Sequence, residues 1–330
     1  MNYEVLERKL LVIFFSFCFL SACEKENKDS YLLKASLLAN EDHTEYKAFD
    51  YFSKLLEERS NGRLKLQVYP SEQLAKEIEA IRLVQAGVID MTLTSSLLSN
   101  WFETATFCEL PFFFKDTIEV KQFIDGPIGQ RIEREMIEIT GLRPLGYFQR
   151  GARHLTSNRP IKHPDDLNGL IVRTPNVPSF VTTWDALGAK ATPMAFSEVF
   201  TSLQQGTIEA QENPFALIKN AGFYEVQKYV NLTGHVLGWG YPVIGEKQFQ
   251  KLPADLKKIL VQSAKDMQAY EHQLFLAKED ELQKQLKQKG MEFVEVDKEA
   301  FIKKSEQAIY NSLSEAMQDV YRSIKNSNND

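Results

Sequence analysis

The sequence predicts a two-lobed α/β protein with one long helix lying across both lobes, and three observations lead there. From about Tyr31 short strand and helix patterns alternate, the order expected of a mostly parallel sheet flanked by helices. Val84-Gln85-Ala86-Gly87-Val88-Ile89-Asp90 is echoed by Leu203-Gln204-Gln205-Gly206-Thr207-Ile208-Glu209. Each reads as a helix end, a glycine stop, a short strand and an acidic residue, which suggests two lobes of similar construction. Finally, a helical pattern runs from Pro253 to Lys289 and stops at Gly290. At 1.5 Å per residue it reaches roughly 55 Å, longer than one small lobe is wide.

Taken in order, Tyr31 to Leu38 reads as the first strand and His43 to Ser60 as an amphipathic helix closed by Asn61-Gly62. Leu64 to Tyr69 alternates as a half-buried strand does. A helix then runs to Ala86, where Gly87 supplies the left-handed turn that ends it, and Val88 to Thr94 is a strand. The later lobe places a strand at Leu170 to Thr174 and helices at Val177 to Leu187 and Ser197 to Gln205. In the long helix Leu256, Leu260, Met267, Leu274 and Leu282 keep no strict heptad, which argues against a coiled coil, and its length leaves room for a kink. The expected organisation is 31–150 with about 239–278 as lobe 1, 151–238 with about 279–310 as lobe 2, and 311–330 as a C-terminal tail or helix.

The first residues follow another logic. Arg8 and Lys9 precede an apolar run from Leu10 to Leu20, too short to cross a membrane comfortably but suited to the core of a secretory signal. Leu20-Ser21-Ala22-Cys23 resembles a bacterial lipobox. That likeness implies a signal peptide at 1–22, lipidation of Cys23, and a periplasmic protein held to a membrane by its acyl chains. Residues 23–30 are polar and suit a tether. Of three cysteines, Cys18 falls in the signal and Cys23 under the lipid, so Cys108 is left without an internal disulfide partner and reads as a small core residue.

The 330 residues are 43% apolar and 25% charged, enough for a substantial core. Net charge is −6 with no basic stripe, which disfavours nucleic acid as a partner. The sequence holds no phosphate-cradling glycine loop, HExxH, CxxC or G-x-S-x-G motif, and its five histidines show no metal spacing. No cofactor, metal or catalytic residue is therefore assigned, and a monomer is expected. Asp165-Asp166 tempts towards acid–base chemistry, but Ile161-Lys162-His163-Pro164-Asp165-Asp166-Leu167 reads as a turn entering a helix.

Residues 147–230 carry the functional signal. Gly151-Ala152-Arg153-His154-Leu155-Thr156-Ser157-Asn158-Arg159-Pro160 precedes Asp166-Leu167-Asn168-Gly169-Leu170-Ile171-Val172-Arg173-Thr174-Pro175-Asn176. Then come Pro193-Met194-Ala195-Phe196-Ser197-Glu198, Gln211-Glu212-Asn213-Pro214 and Phe223-Tyr224-Glu225-Val226. In this order, with Pro70-Ser71-Glu72-Gln73-Leu74 and Leu110-Pro111-Phe112 upstream, the chain resembles the solute-binding proteins of TRAP (tripartite ATP-independent periplasmic) transporters. The resemblance implies a two-lobed periplasmic-binding-protein-like fold with a ligand cleft between the lobes, a small organic acid as ligand, and membrane permease subunits as partners.

On that basis Arg173 matches the family's carboxylate-clamping arginine. A guanidinium at a strand end can point into the cleft, and its planar fork fits a carboxylate through two parallel hydrogen bonds. Arg153 matches a second pocket arginine, whereas Arg150 is a decoy without that support. Asn213 can donate and accept toward a carboxylate or hydroxyl, and Phe196 matches a position that packs on the ligand's apolar face. Asn176 offers either a polar contact or a helix N-cap. Glu77 at a helix start, His43 before the first helix and Trp239 in Gly238-Trp239-Gly240 are the candidates of the first lobe. Leu38 stands where sialic-acid-binding members carry a polar residue, which speaks against sialic acid. A hydroxylated sugar acid such as a uronate is favoured over a C4-dicarboxylate. Two other uses of such a fold stand beside transport: a ligand-presenting subunit of a signalling receptor, and an exported enzyme.

Overall fold

The computed structural model describes residues 30–327. The expected signal peptide, the lipidated Cys23 and nearly all of the tether lie outside the described residues. Among the described residues ten strands form one sheet: β1 (Tyr31–Ser36), β2 (Leu64–Tyr69), β3 (Met91–Thr94), β4 (Leu142–Pro144), β5 (Phe148–Ser157), β6 (Ile171–Thr174), β7 (Lys190–Pro193), β8 (Ala210–Pro214), β9 (Tyr229–Gly245) and β10 (Glu292–Val294). Their order is β2-β1-β3-β9-β5-β8-β6-β7, with β4 and β10 attached to β9.

The sheet consists of two matching halves joined by two long strands. In the first half β1 lies parallel between β2 and β3, and β3 runs antiparallel to β9. In the second, β6 lies parallel between β7 and β8, and β8 runs antiparallel to β5. The echo in the sequence is echoed in hydrogen bonds. Asp90 N donates to Lys34 O at 2.9 Å while its carboxylate accepts from Lys34 N at 2.8 Å. Glu209 repeats this with Ile171 at 2.9 and 3.0 Å. Gly87 and Gly206, at φ +79° and +71°, end the preceding helices with the left-handed turn that a side chain would strain.

Eleven α-helices are present among the described residues. In the first half and its flank these are α1 (Thr44–Arg59), α2 (Glu77–Ala86), α3 (Thr117–Asp125) and α4 (Pro127–Thr140). The second half carries α5 (Pro178–Ala186), α6 (Val199–Gln205) and α7 (Phe215–Asn220). After β9 come α8 (Glu246–Lys251), α9 (Ala254–Gln288), α10 (Lys298–Asn311) and α11 (Glu315–Ser327). The long α9 is continuous over 35 residues. Its Leu256, Leu260, Ala264 and Met267 enter the core beside β1–β3, whereas Leu286 joins the core beneath α6 and α7. It therefore ties both halves together, as its length implied.

Strands β5 and β9 cross between the halves, and the expected boundaries at 150/151 and 238/239 fall inside them. Cys108 is fully buried among aromatic side chains, where burial first, and the charge of Glu109 second, push its thiol well above the ordinary range. The Asp165-Asp166 pair serves a turn: the Asp166 carboxylate accepts from the backbone of Lys162 and His163 at the start of a short 3-10 helix.

Candidate functional site

The carboxyl ends of the parallel strands from both halves converge on one narrow cavity with about 30 Å³ of free volume. From the second half come Arg173 near the end of β6, Asn213 near the end of β8, and Phe196. The first half supplies Leu38 beyond β1, Ser95 and Ser96 beyond β3, Glu109, and Glu77 at the first position of α2. Between them β5 contributes Arg150 and Arg153. Contacts bridge the halves around this space. Lys76 pairs with Glu198 at 2.6 Å, Ser197 N donates to Glu72 at 3.2 Å, and Asn40 Nδ2 donates to Asn220 O at 3.1 Å.

The three guanidiniums differ sharply in company. Arg153 grips Glu212 through Nε at 2.5 Å and Nη2 at 2.8 Å, and Nη2 also reaches Asn213 Oδ1 at 3.1 Å. His235 meets the same Glu212 Oε2 that Arg153 Nε binds, at 2.9 Å, and its second ring nitrogen meets Thr233 Oγ1 at 2.8 Å. Burial alone would raise the Glu212 carboxyl, but Arg153 outweighs it and holds the group at about 2. Arg150 lies 3.4 Å from Glu45 and 3.5 Å from Glu109. Arg173 has no carboxylate partner among the described residues. Its Nε and Nη2 donate to the Met194 carbonyl at 3.0 and 2.5 Å, leaving Nη1 unengaged. Only 3% exposed, it is pulled down to about 10 by burial. A buried cation without an anion is expensive, and a ligand carboxylate is the group that would complete it.

Asn213 Nδ2 donates to Gln211 Oε1 at 2.6 Å, which fixes the amide and leaves one N–H free for a ligand. Phe196 sits 6.0 Å from the Arg173 guanidinium carbon, ring beside charge. Glu77 is half-buried as a residue, but its carboxyl is drawn away from water and raised to about 7. Asn176 stands further out, on the rim space that adjoins the cavity. It does not cap a helix, because Val177 is the N-cap of α5, and its carbonyl accepts from Asn100 Nδ2 at 3.0 Å.

Two sequence candidates are not brought to the cavity. Trp239 is wholly buried, packed against Phe114, Phe123 and Tyr241. Alternation along β9 turns Trp239 one way and its flanking glycines the other. Gly238 is the one that matters to the site: a Cβ there would meet Cys108 O and Glu109 Cγ at 2.6 Å. His43 is the N-cap of α1, its Nδ1 accepting from Glu45 N at 3.2 Å. Burial lowers its pKa, which keeps the neutral ring that such a cap requires. Conversely, Arg150, set aside as a decoy, lines the cavity. The register of β5 on β9 shifts between Arg150 and Arg153. That bulge lets two residues three apart face the same way, which a regular strand forbids.

A family of bacterial extracellular solute-binding proteins, family 7, matches residues 35–322. The chain belongs to this family, the solute-binding proteins of TRAP transporters. A solute-binding protein of Roseobacter denitrificans is 44% identical over 292 residues, covering 88% of this chain and 90% of its own. A crystal structure of a TRAP solute-binding protein from that organism, with L-galactonate bound, superposes with a TM-score of 0.87 at 44% identity, over 89% of this chain and 98% of that one. The 2,3-diketo-L-gulonate-binding periplasmic protein of Escherichia coli is 34% identical over 253 residues, covering 76% of this chain and 77% of its own. None of the described helices is long and apolar enough to cross a membrane.

Proposed function

We propose that this TRAP solute-binding protein captures a hydroxylated sugar acid, with Arg173 as its carboxylate ligand. The observation that carries the reading is the buried, unpaired Arg173 guanidinium in a cavity that both halves line. Asn213 and Phe196 would hold the acid end and the carbon chain, and Glu77 would accept hydroxyls. Arg153 would act behind Asn213, since Glu212 already occupies most of its fork. The relatives that bind L-galactonate and 2,3-diketo-L-gulonate handle acids of this kind. Closure follows because a ligand touching both halves favours the shut form by its differential contacts. The loaded protein would deliver its cargo to TRAP membrane permease subunits, and Cys23 would carry the lipid that keeps it at a membrane.

Thermal-shift screening against hexonates, uronates, C4-dicarboxylates and neutral sugars tests this directly. L-Galactonate or a related acid should raise the melting temperature in proportion to the logarithm of its excess over Kd, and neutral sugars should not. A response confined to C4-dicarboxylates, or to none of the acids, would sink the sugar-acid assignment. Recovery of the captured acid unchanged after prolonged incubation separates binding from turnover.

A further inference from the structure

The charge pattern of the cavity reaches beyond the choice of an acid to the number of carboxylates that acid can carry. Glu109 is 4% exposed, and its Oε1 lies 3.5 Å from both Arg150 Nη1 and Arg153 Nη1. Its Oε2 accepts from Ser96 Oγ at 2.6 Å, which fixes the carboxylate toward the two arginines. Gly238, opposite Arg150 in the β5–β9 ladder, leaves the room that Glu109 needs. The protein therefore places a carboxylate of its own on the two guanidiniums of the crossing strand. With Glu45 and Glu212 completing those pairs, Arg173 is the only cavity arginine that no internal carboxylate engages among the described residues.

We propose that Glu109 is a specificity-determining residue that restricts the cavity to acids with a single carboxylate, by holding the place on Arg150 and Arg153 that a second ligand carboxylate would take. The proposal rests on the sugar-acid reading above. A ligand anchored on Arg173 turns its remaining atoms toward the first half, where Glu109, Glu77, Ser95 and Ser96 line the wall. Hydroxyls can donate to these carboxyls. A second carboxylate would face like charge in a cavity from which water has been removed, where repulsion is strongest.

Calorimetric titration at pH 8 of the protein and of Glu109→Gln against L-galactonate and galactarate, the diacid of the same carbon skeleton, tests the idea. The unaltered protein should prefer the monoacid by about a hundredfold or more. In Glu109→Gln that preference should shrink at least tenfold, mainly through tighter galactarate binding. Ser96→Ala, which keeps every charge but releases Glu109, provides a second variant and should shrink it severalfold. The proposal is overturned if the unaltered protein binds both acids within threefold, or if the preference is unchanged in whichever of the two variants retains a cooperative melt. Binding of galactarate alone would overturn this proposal while leaving the sugar-acid reading standing, whereas binding of neither acid would overturn that reading and this proposal with it.

Discussion

The crossing strand β5 and the strand end of β6 both present arginines to one cavity, yet they solve opposite problems. On β5 every guanidinium meets a carboxylate inside the protein: Arg153 with Glu212, Arg150 with Glu45, and both with Glu109. On β6 Arg173 donates to a carbonyl and, among the described residues, meets no carboxylate. The first region is a closed polar network whose members satisfy one another, which favours a fixed geometry. The second holds a buried guanidinium that no carboxylate engages among the described residues. Arginine content alone does not mark a binding site; the absence of an internal anion does.

The strongest way to break this contrast is to make Arg153 resemble Arg173. Glu212→Ala leaves a buried guanidinium with its main partner gone and should cost on the order of 3–5 kcal/mol in urea unfolding. The acid side has a definite sign. Glu212 sits at about 2 in the fold against an ordinary 4.5, so its contribution is present above 4.5 and is lost as pH falls toward 2.

The next effect lies behind β5. Glu271 of α9 accepts from Gln149 N at 3.1 Å and is wholly buried. Burial raises this carboxyl to about 8. A raised value means that its contribution is whole at acid pH, below 4.5, and is lost as pH climbs through 8. Glu271→Gln keeps an acceptor for Gln149 and should be more stable than the unaltered protein at pH 9 by on the order of 2–4 kcal/mol. Melting curves at pH 5 and pH 9 measure this; an equal alkaline loss in both proteins would contradict it.

Two smaller effects sharpen the comparison. Gly238→Ala should destabilise by about 1–3 kcal/mol, because the new methyl has to displace Glu109 or the backbone of Cys108. Galactarate affinity in that variant reports whether Glu109 has moved. Lys76 and Glu198, each about half exposed, bridge the halves at the rim. Lys76→Met should change ligand affinity by less than about 1 kcal/mol, with an effect that fades as salt is raised.

The parts of the fold legible in the sequence were those with local grammar. Strand β2, the stops at Gly87 and Gly206, and the single long helix follow from alternation, glycine chemistry and length. Strands β5 and β9 were not legible as strands. Gly234, Gly238, Gly240 and Pro242 punctuate β9 as if it were loop, and only pairing with β3, β4, β5 and β10 overrides that signal. The same limit governed the site. Arg173, Asn213, Phe196 and Glu77 meet in the cavity because strand and helix ends place them there. Arg150 depended on a bulge, and Glu109 on a distant glycine, neither visible in one stretch of chain. In Gly238-Trp239-Gly240 the aromatic drew notice, while the glycine beside it shapes the site.

The direct test of the account is a calorimetric titration of Arg173→Lys with L-galactonate, beside a melting curve of the unliganded variant. Lysine keeps the charge but lacks the planar fork, so affinity should fall by on the order of a hundredfold or more, about 3 kcal/mol, while the unliganded fold is retained. Unchanged affinity in a well-folded Arg173→Lys protein would contradict the assignment of Arg173 as the carboxylate ligand.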